Sequence, residues 1–223
     1  MSLINVTLLS QEHCLEPIQA ELKYATSDNL VGRPLNGYHR EATDIVLLTP
    51  KAGERLCQVQ NYLVKTYRYG LIVYDAYRPR RAVLDLFNWA QQEHENEIEK
   101  ARQKIHYPHI KKQQLFALGY VDADSNHCYG NTVDVFLVDL ATQQVLDMGV
   151  CYDYMDELSH LTVTANDIGE KAYRHRSILL EAMEKFNFES YKKEFWHYSH
   201  QGKQGREVTQ PFDIEITPIL KLT

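Results

Sequence analysis

No stretch of this 223-residue sequence approaches the 18 or so consecutive apolar residues of a membrane-spanning helix, so a membrane partner is not expected. Basic residues are in short supply: 24 Lys and Arg stand against 30 Asp and Glu, a formal charge of -6. Nucleic-acid backbones are bound by clustered Lys and Arg, and the densest basic run, Arg78-Pro79-Arg80-Arg81, is too short for that. No nucleic-acid partner is expected either. The four cysteines (Cys14, Cys57, Cys128, Cys151) are scattered without a C-x-x-C pair, which argues for reduced, buried thiols over a disulfide framework. The segment Met1 to Leu9 has no Lys or Arg ahead of its short apolar stretch and does not read as a signal peptide, so a cytoplasmic location is expected. Repeats, low-complexity tracts and Gly/Pro/Ser-rich linkers are missing too. One domain spanning residues 1–223 is the simplest expectation.

What is present alternates between strand and helix patterns. Ala42 to Leu48 holds Ile45, Val46, Leu47 and Leu48, a strand run ended by Thr49-Pro50. Leu56, Val59, Leu63 and Val64 recur at helical spacing within Lys51 to Tyr69, and Gly70 stops that helix before the buried strand Leu71-Ile72-Val73-Tyr74. Pro79 suits a first turn, and Val83, Leu84, Leu86, Phe87 and Ala90 predict one helix running to about Lys104. Within it, Glu93 to Glu99 reads as a solvated face. Thr132 to Asp139 predicts a strand, Asn166 to Phe186 a helix, and Phe188 to Tyr198 a final strand or hairpin. Strands interspersed with helices, too irregular for repeated βαβ units, predict an α+β fold with a mainly antiparallel sheet flanked by helices.

Eight of the ten histidines (His13, His39, His94, His106, His109, His160, His175, His200) sit among polar residues and read as surface or capping groups. His106-x-x-His109 could chelate on a helix, but Pro108 argues against a helix there. Two segments differ. In Ser125-Asn126-His127-Cys128-Tyr129-Gly130-Asn131-Thr132-Val133-Asp134, residues seven apart cannot share one face of a flat strand. His127 and Asp134 converge only if Gly130 allows a sharp bend. Asp134 then opens onto Val135-Phe136-Leu137-Val138, where a buried carboxylate is costly unless a cation or backbone amides satisfy it. The second segment, Glu194-Phe195-Trp196-His197-Tyr198, sets a Glu and a His in an aromatic wall. A sheet-edge Glu and a packed core His would fit that segment equally well. Taken together, two histidines and a carboxylate suit zinc with a fourth position open, and Glu194 would be the spare carboxylate for general-base work. Cys128 as a further ligand would be strained by its adjacency to His127. A third element, Tyr74-Asp75-Ala76-Tyr77-Arg78-Pro79, places Arg78 between a strand and a helix, where it is either a surface arginine or a group for oxyanion charge.

These residues resemble the zinc D-Ala-D-Ala dipeptidases of the vancomycin-resistance type, within the D,D-peptidase family that shares a fold with the hedgehog signalling domain. The family pattern S-x-H-x(6)-D is met by Ser125, His127 and Asp134, E-x-W-H by Glu194, Trp196 and His197, and Y-R-P by Tyr77, Arg78 and Pro79. Leu22 to Asn29, Gly37-Tyr38 and Met148 to Glu157 look like the dipeptidase branch as well, so the resemblance spans about Leu22 to Tyr198. It implies one Zn2+ per chain held by His127, Asp134 and His197, with Glu194 as catalytic base and Arg78 stabilising the transition state. It further implies that Asp153 holds the substrate ammonium, that Ser125 lies near the substrate carboxylate, and that Tyr24 and Tyr38 line the site. Cys128-Tyr129 departs from the small or polar residues expected there. The implied reaction is hydrolysis of the free dipeptide D-Ala-D-Ala in peptidoglycan precursor metabolism, either glycopeptide resistance or dipeptide recycling. Two rivals follow from the same residues. A D,D-carboxypeptidase acting on longer stem peptides would need an open cleft in place of the Asp153 anchor. A non-catalytic zinc-binding module would have no use for Glu194 and Arg78. A homo-oligomer is compatible with the reading.

Overall fold

The structure, a computed structural model, describes residues 2–221. Its elements in chain order are β1 (Ile4–Asn5), α1 (Val6–His13), β2 (Gln19–Ala20), β3 (Leu47–Leu48), α2 (Pro50–Tyr67), β4 (Tyr69–Asp75), α3 (Arg80–Gln91), α4 (Glu97–His106), β5 (Thr132–Asp139), β6 (Gln144–Val145), α5 (Ala165–Ile168), α6 (Glu170–Lys185), β7 (Phe188–Tyr191) and β8 (Glu194–His200). β4 and β5 are apolar on nearly every residue because both of their faces are covered, as the centre of a sheet requires. They pair antiparallel, with β8 on the far side of β5 and β7 folding back on β8 as a hairpin. The sheet order is β2-β4-β5-β8-β7, and β6 pairs with the end of β5. Among the described strands only β2 runs parallel to its neighbour. The fold is α+β with a mainly antiparallel sheet, as the sequence pattern predicts.

Helices α2 and α6 pack on each other, α2 against β4 and α6 against β5 and β8. α2 begins at Pro50 and buries Leu56, Val59, Leu63 and Val64, the stripe read from the sequence. Arg68, in the left-handed region at φ 61°, closes it by donating its N–H to the Leu63 and Val64 carbonyls. An aromatic layer supports the site end of the sheet. Phe136 lies 5.2 Å from both Tyr74 and Phe195, and Tyr152 packs 5.7 Å from Trp196. Such pairs add about 0.5–1.5 kcal/mol each beyond area burial.

Six local expectations need correction. The helix expected from Pro79 to Lys104 is two helices, interrupted at residues 92–96. Asn96 caps α4 by accepting from the Glu99 N–H while the Glu99 carboxylate accepts from the Asn96 N–H, so the chain restarts a helix where continuous periodicity predicts none. Glu99 is thereby no solvated residue: it is buried and accepts from Trp89 Nε1 and Lys112 Nζ. The strand expected over Ala42 to Leu48 is confined to β3, and Gly169 divides the helix expected from Asn166 to Phe186. Three histidines read as surface groups (His106, His175, His200) are buried; His175 Nδ1, for example, meets the Asp147 carbonyl at 2.7 Å. The cysteines form no disulfide, but Cys151 is exposed and Cys14 half-buried.

Candidate metal centre and active site

Strand register brings the first two ligand candidates together. Asp134 of β5 stands directly opposite His197 of β8, and opposed residues of antiparallel strands have Cβ atoms about 4.5–5.5 Å apart. His127 arrives from a 3-10 turn over Asn126–Tyr129, capped by the Ser125 side chain, which accepts from the His127 N–H. The turn ends at Gly130, whose φ of 69° is left-handed; a Cβ there would run into Leu3. This reversal is the bend that residues seven apart require.

His127 Nε2 lies 3.4 Å from Asp134 Oδ1, His197 Nδ1 lies 3.1 Å from the same oxygen, and the two ring nitrogens are 3.3 Å apart. Ligand atoms about 2.0–2.1 Å from a tetrahedral ion sit about 3.3–3.4 Å from one another, so the triangle has the dimensions of a metal site. Asp134 Oδ1 is buried without a well-directed hydrogen bond, a costly state that a cation relieves. Burial opposes ionisation of Asp134, yet His127 and His197 hold its carboxyl well below the ordinary range. His127, Asp134 and His197 are the one such ligand cluster among the described residues, and they fit a divalent metal. Cys128 is no part of it. It is buried beside Val83 and Tyr129, and burial pushes its thiol up to about 11.

Asp75, at the end of β4, is paired with Asp134 next to a bulge and is fully buried. Its carboxylate accepts from Arg78 Nε and faces Arg78 Nη2, both at 2.8 Å, and accepts from the Tyr38 hydroxyl at 2.6 Å. His127 Nδ1 faces the Ala76 carbonyl and lies 3.4 Å from Asp75, which leaves Nε2 as the nitrogen turned toward Asp134 and His197. Burial disfavours the Arg78 charge, but Asp75 together with Tyr24, Tyr38 and Tyr152 outweighs it and raises the guanidinium above its ordinary range. The Arg78 guanidinium also lies over the Tyr24 ring, 4.6 Å from its centroid. Tyr38 does not line the cavity as expected; it braces Asp75 from behind.

Glu194 opens β8, buried, with Oε2 3.7 Å from His197 Nδ1 and no hydrogen bond to its carboxylate among the described residues. Burial pushes its carboxyl well above the ordinary range, and the charges of Asp134 and Asp153 add to the effect. Burial likewise pushes Asp153 up to about 7, again with help from Asp134. Asp153 accepts from the Tyr24 hydroxyl at 2.8 Å and holds a left-handed φ of 58°, a conformation uncommon outside glycine. Arg78 and Asp75 cancel in charge. That leaves three buried carboxyl groups (Asp134, Asp153 and Glu194) gathered in one cavity without a Lys or Arg hydrogen bond among the described residues.

Tyr24, Arg78, Ser125 and Asp153 line a cavity of about 310 Å³ with the three ligand candidates and Glu194. Its other wall is Gly119 to Asp122, held in place where Tyr191 Oη donates to the Gly119 carbonyl and Lys193 Nζ to the Leu118 carbonyl. Lys203 reaches the cavity from the loop after β8. Sequence reasoning assigned no role to Asp75, to Tyr152, to the 119–122 wall or to Lys203. Asp75 carried a readable signal, an acid closing the apolar run Leu71 to Tyr74, the counterpart of Asp134 at the head of another. The others carried none.

Residues 5–215 match the family model described as D-ala-D-ala dipeptidase, Peptidase_M15. The chain is similar to the D-alanyl-D-alanine dipeptidase of Enterococcus faecalis, 35% identical over 84% of this chain and 88% of that one. It is 36% identical to the D-alanyl-D-alanine dipeptidase of Streptomyces coelicolor, over 82% and 85% of the two chains. The protein of the same name from Escherichia coli is 28% identical over 81% and 78%.

Proposed function

The chain belongs to the D-alanyl-D-alanine dipeptidase family of peptidases, and from that premise we propose that it hydrolyses free D-Ala-D-Ala to two D-alanines with one zinc ion per chain. The observation that carries this reading is the set of buried carboxyl groups gathered at the donor triangle in the cavity. Asp134, Asp153 and Glu194, three buried carboxyl groups with no Lys or Arg hydrogen bond among the described residues, stand in or beside a metal-sized donor triangle, where a dication and a substrate ammonium would offset their charge. His127 Nε2, Asp134 Oδ1 and His197 Nδ1 would hold the zinc, which supplies Lewis acidity toward water and the amide carbonyl.

The remaining steps belong to the chain's own residues. Asp153 pairs with the substrate ammonium and Ser125 lies toward its carboxylate, which fixes the peptide bond between them. Glu194 takes a proton from the attacking water on a carboxylate oxygen as the water oxygen bonds to the amide carbon. Its environment suits both halves of that task. A nearby dication offsets the repulsion from Asp134 and keeps Glu194 ionised beforehand, while burial helps it retain the proton afterwards. Arg78, fixed by Asp75, faces the developing oxyanion. Glu194 then returns the proton to the leaving nitrogen as the C–N bond breaks, releasing two amino acids.

A cell-wall role in glycopeptide resistance or dipeptide recycling follows from the substrate. The test compares zinc-loaded protein on D-Ala-D-Ala, L-Ala-L-Ala and N-acetyl-D-Ala-D-Ala. Acylation leaves Asp153 buried and unpaired, which costs a few kcal/mol, so kcat/KM for the acylated substrate should fall by about 10² or more. Comparable cleavage of free and acylated forms would instead favour a carboxypeptidase acting on longer stems.

A further inference from the structure

Asp134 has two oxygens in different surroundings. Oδ1 faces the two histidines and lacks a hydrogen bond, whereas Oδ2 accepts from the Tyr152 hydroxyl at 2.8 Å. Among the described residues no other donor competes for Oδ2: Arg78 Nη2 stands 3.9 Å away and is committed to Asp75 at 2.8 Å. The Tyr152 ring is itself fixed, buried between Tyr74 at 5.2 Å and Trp196 at 5.7 Å. A carboxylate held in this way can offer a metal only its free oxygen.

We propose that Tyr152 is a positioning residue that occupies Asp134 Oδ2 and so restricts Asp134 to one-oxygen metal ligation through Oδ1. This rests on the metal assignment above and adds the residue that sets how one ligand binds. Two-oxygen ligation would fill a position that water or the amide carbonyl needs, whereas one-oxygen ligation keeps it open. Outer partners of this kind hold ligands in orientation, and their loss commonly lowers metal affinity by about 10–100-fold. Tyr152 also immediately precedes the ammonium anchor Asp153. A single short segment therefore positions a metal ligand and a substrate contact.

Tyr152→Phe removes the hydroxyl and keeps both ring contacts. Its zinc affinity, measured by competition with a chromogenic chelator, should fall about 10–100-fold. The visible spectrum of the cobalt-loaded variant should differ from the parent's, because freeing Oδ2 changes how Asp134 binds. Parental zinc affinity or a parental cobalt spectrum overturns the proposal. His197→Ala, titrated alongside, separates this from the underlying assignment: zinc binding by that variant at parental affinity rejects the ligand set itself.

Discussion

The two halves of the site are built from different material. The metal half rides on the sheet, where Asp75, Asp134 and His197 lie side by side on β4, β5 and β8 and hydrogen-bonded register fixes their spacing. The substrate half hangs on loops, with Asp153 between Met148 and Leu158 and the far wall at Gly119 to Asp122. Its order comes from single side-chain ties: Arg176 donates to the Met148 and Leu158 carbonyls, and Tyr191 and Lys193 tie down the 118–119 wall. Strand pairing positions atoms by many weak bonds at once, whereas loops do so by a few strong ones. Chemistry can be conserved in geometry while selectivity is adjusted nearby.

Metal removal is the severest way to break this division. A strong chelator, or His127→Ala, should abolish turnover completely, with metal analysis showing an empty protein. Full activity in metal-free protein would end the account. Next in size is Arg78→Ala, which should lower kcat by about 10²–10³ with little change in KM, because the guanidinium acts on charge present only in the transition state. A large rise in KM at constant kcat would move Arg78 to the substrate half. Asp153→Asn, by contrast, should erase the roughly 10² preference for free over acylated dipeptide while the metal stays bound. Unchanged preference would remove Asp153 from its role.

The smallest effect concerns stability and arises where a helix supports the loop half. His106 braces it through its carbonyl, which accepts from the Met155 N–H at 2.6 Å, and through its ring, 2.8 Å from Arg102. Burial, together with Arg102, depresses the imidazole from 6.5 to about 4. The unfolded chain therefore takes up this proton first, so the stability His106 contributes is present above pH 6.5 and is lost as pH falls toward 4. Between pH 6.5 and 4.5 the loss is about 2 kcal/mol. Urea unfolding of the parent and of His106→Gln across that window should show a steeper decline in the parent. Equal declines would detach His106 from acid sensitivity.

The contrast between the halves also governs how much was readable beforehand. An acid opening or closing an apolar strand and a Glu and His within an aromatic run are local signals, and they picked out Asp134, Glu194 and His197 without coordinates. The turn around Gly130 was legible for the same reason. Tyr152 and the 119–122 wall were not, because their meaning comes only from contacts between distant segments: Tyr152 with Asp134, Tyr191 with Gly119. Tyr38 shows the limit of resemblance. Its position in the motif was read as cavity lining, yet it reaches Asp75 behind the wall. The break between α3 and α4 is invisible to apolar periodicity, because its signal is the Asn96–Glu99 capping pair.

The central claim is that two strand residues, Asp134 and His197, and His127 from the adjoining turn would hold the metal, while Glu194, 3.7 Å from His197 yet outside the triangle, would move the proton. Glu194→Gln tests it most directly when zinc content and kcat are measured on the same preparation. About one zinc per chain should remain bound while kcat falls by about 10²–10⁴. Loss of the zinc from folded protein, or a parental kcat, would contradict the account.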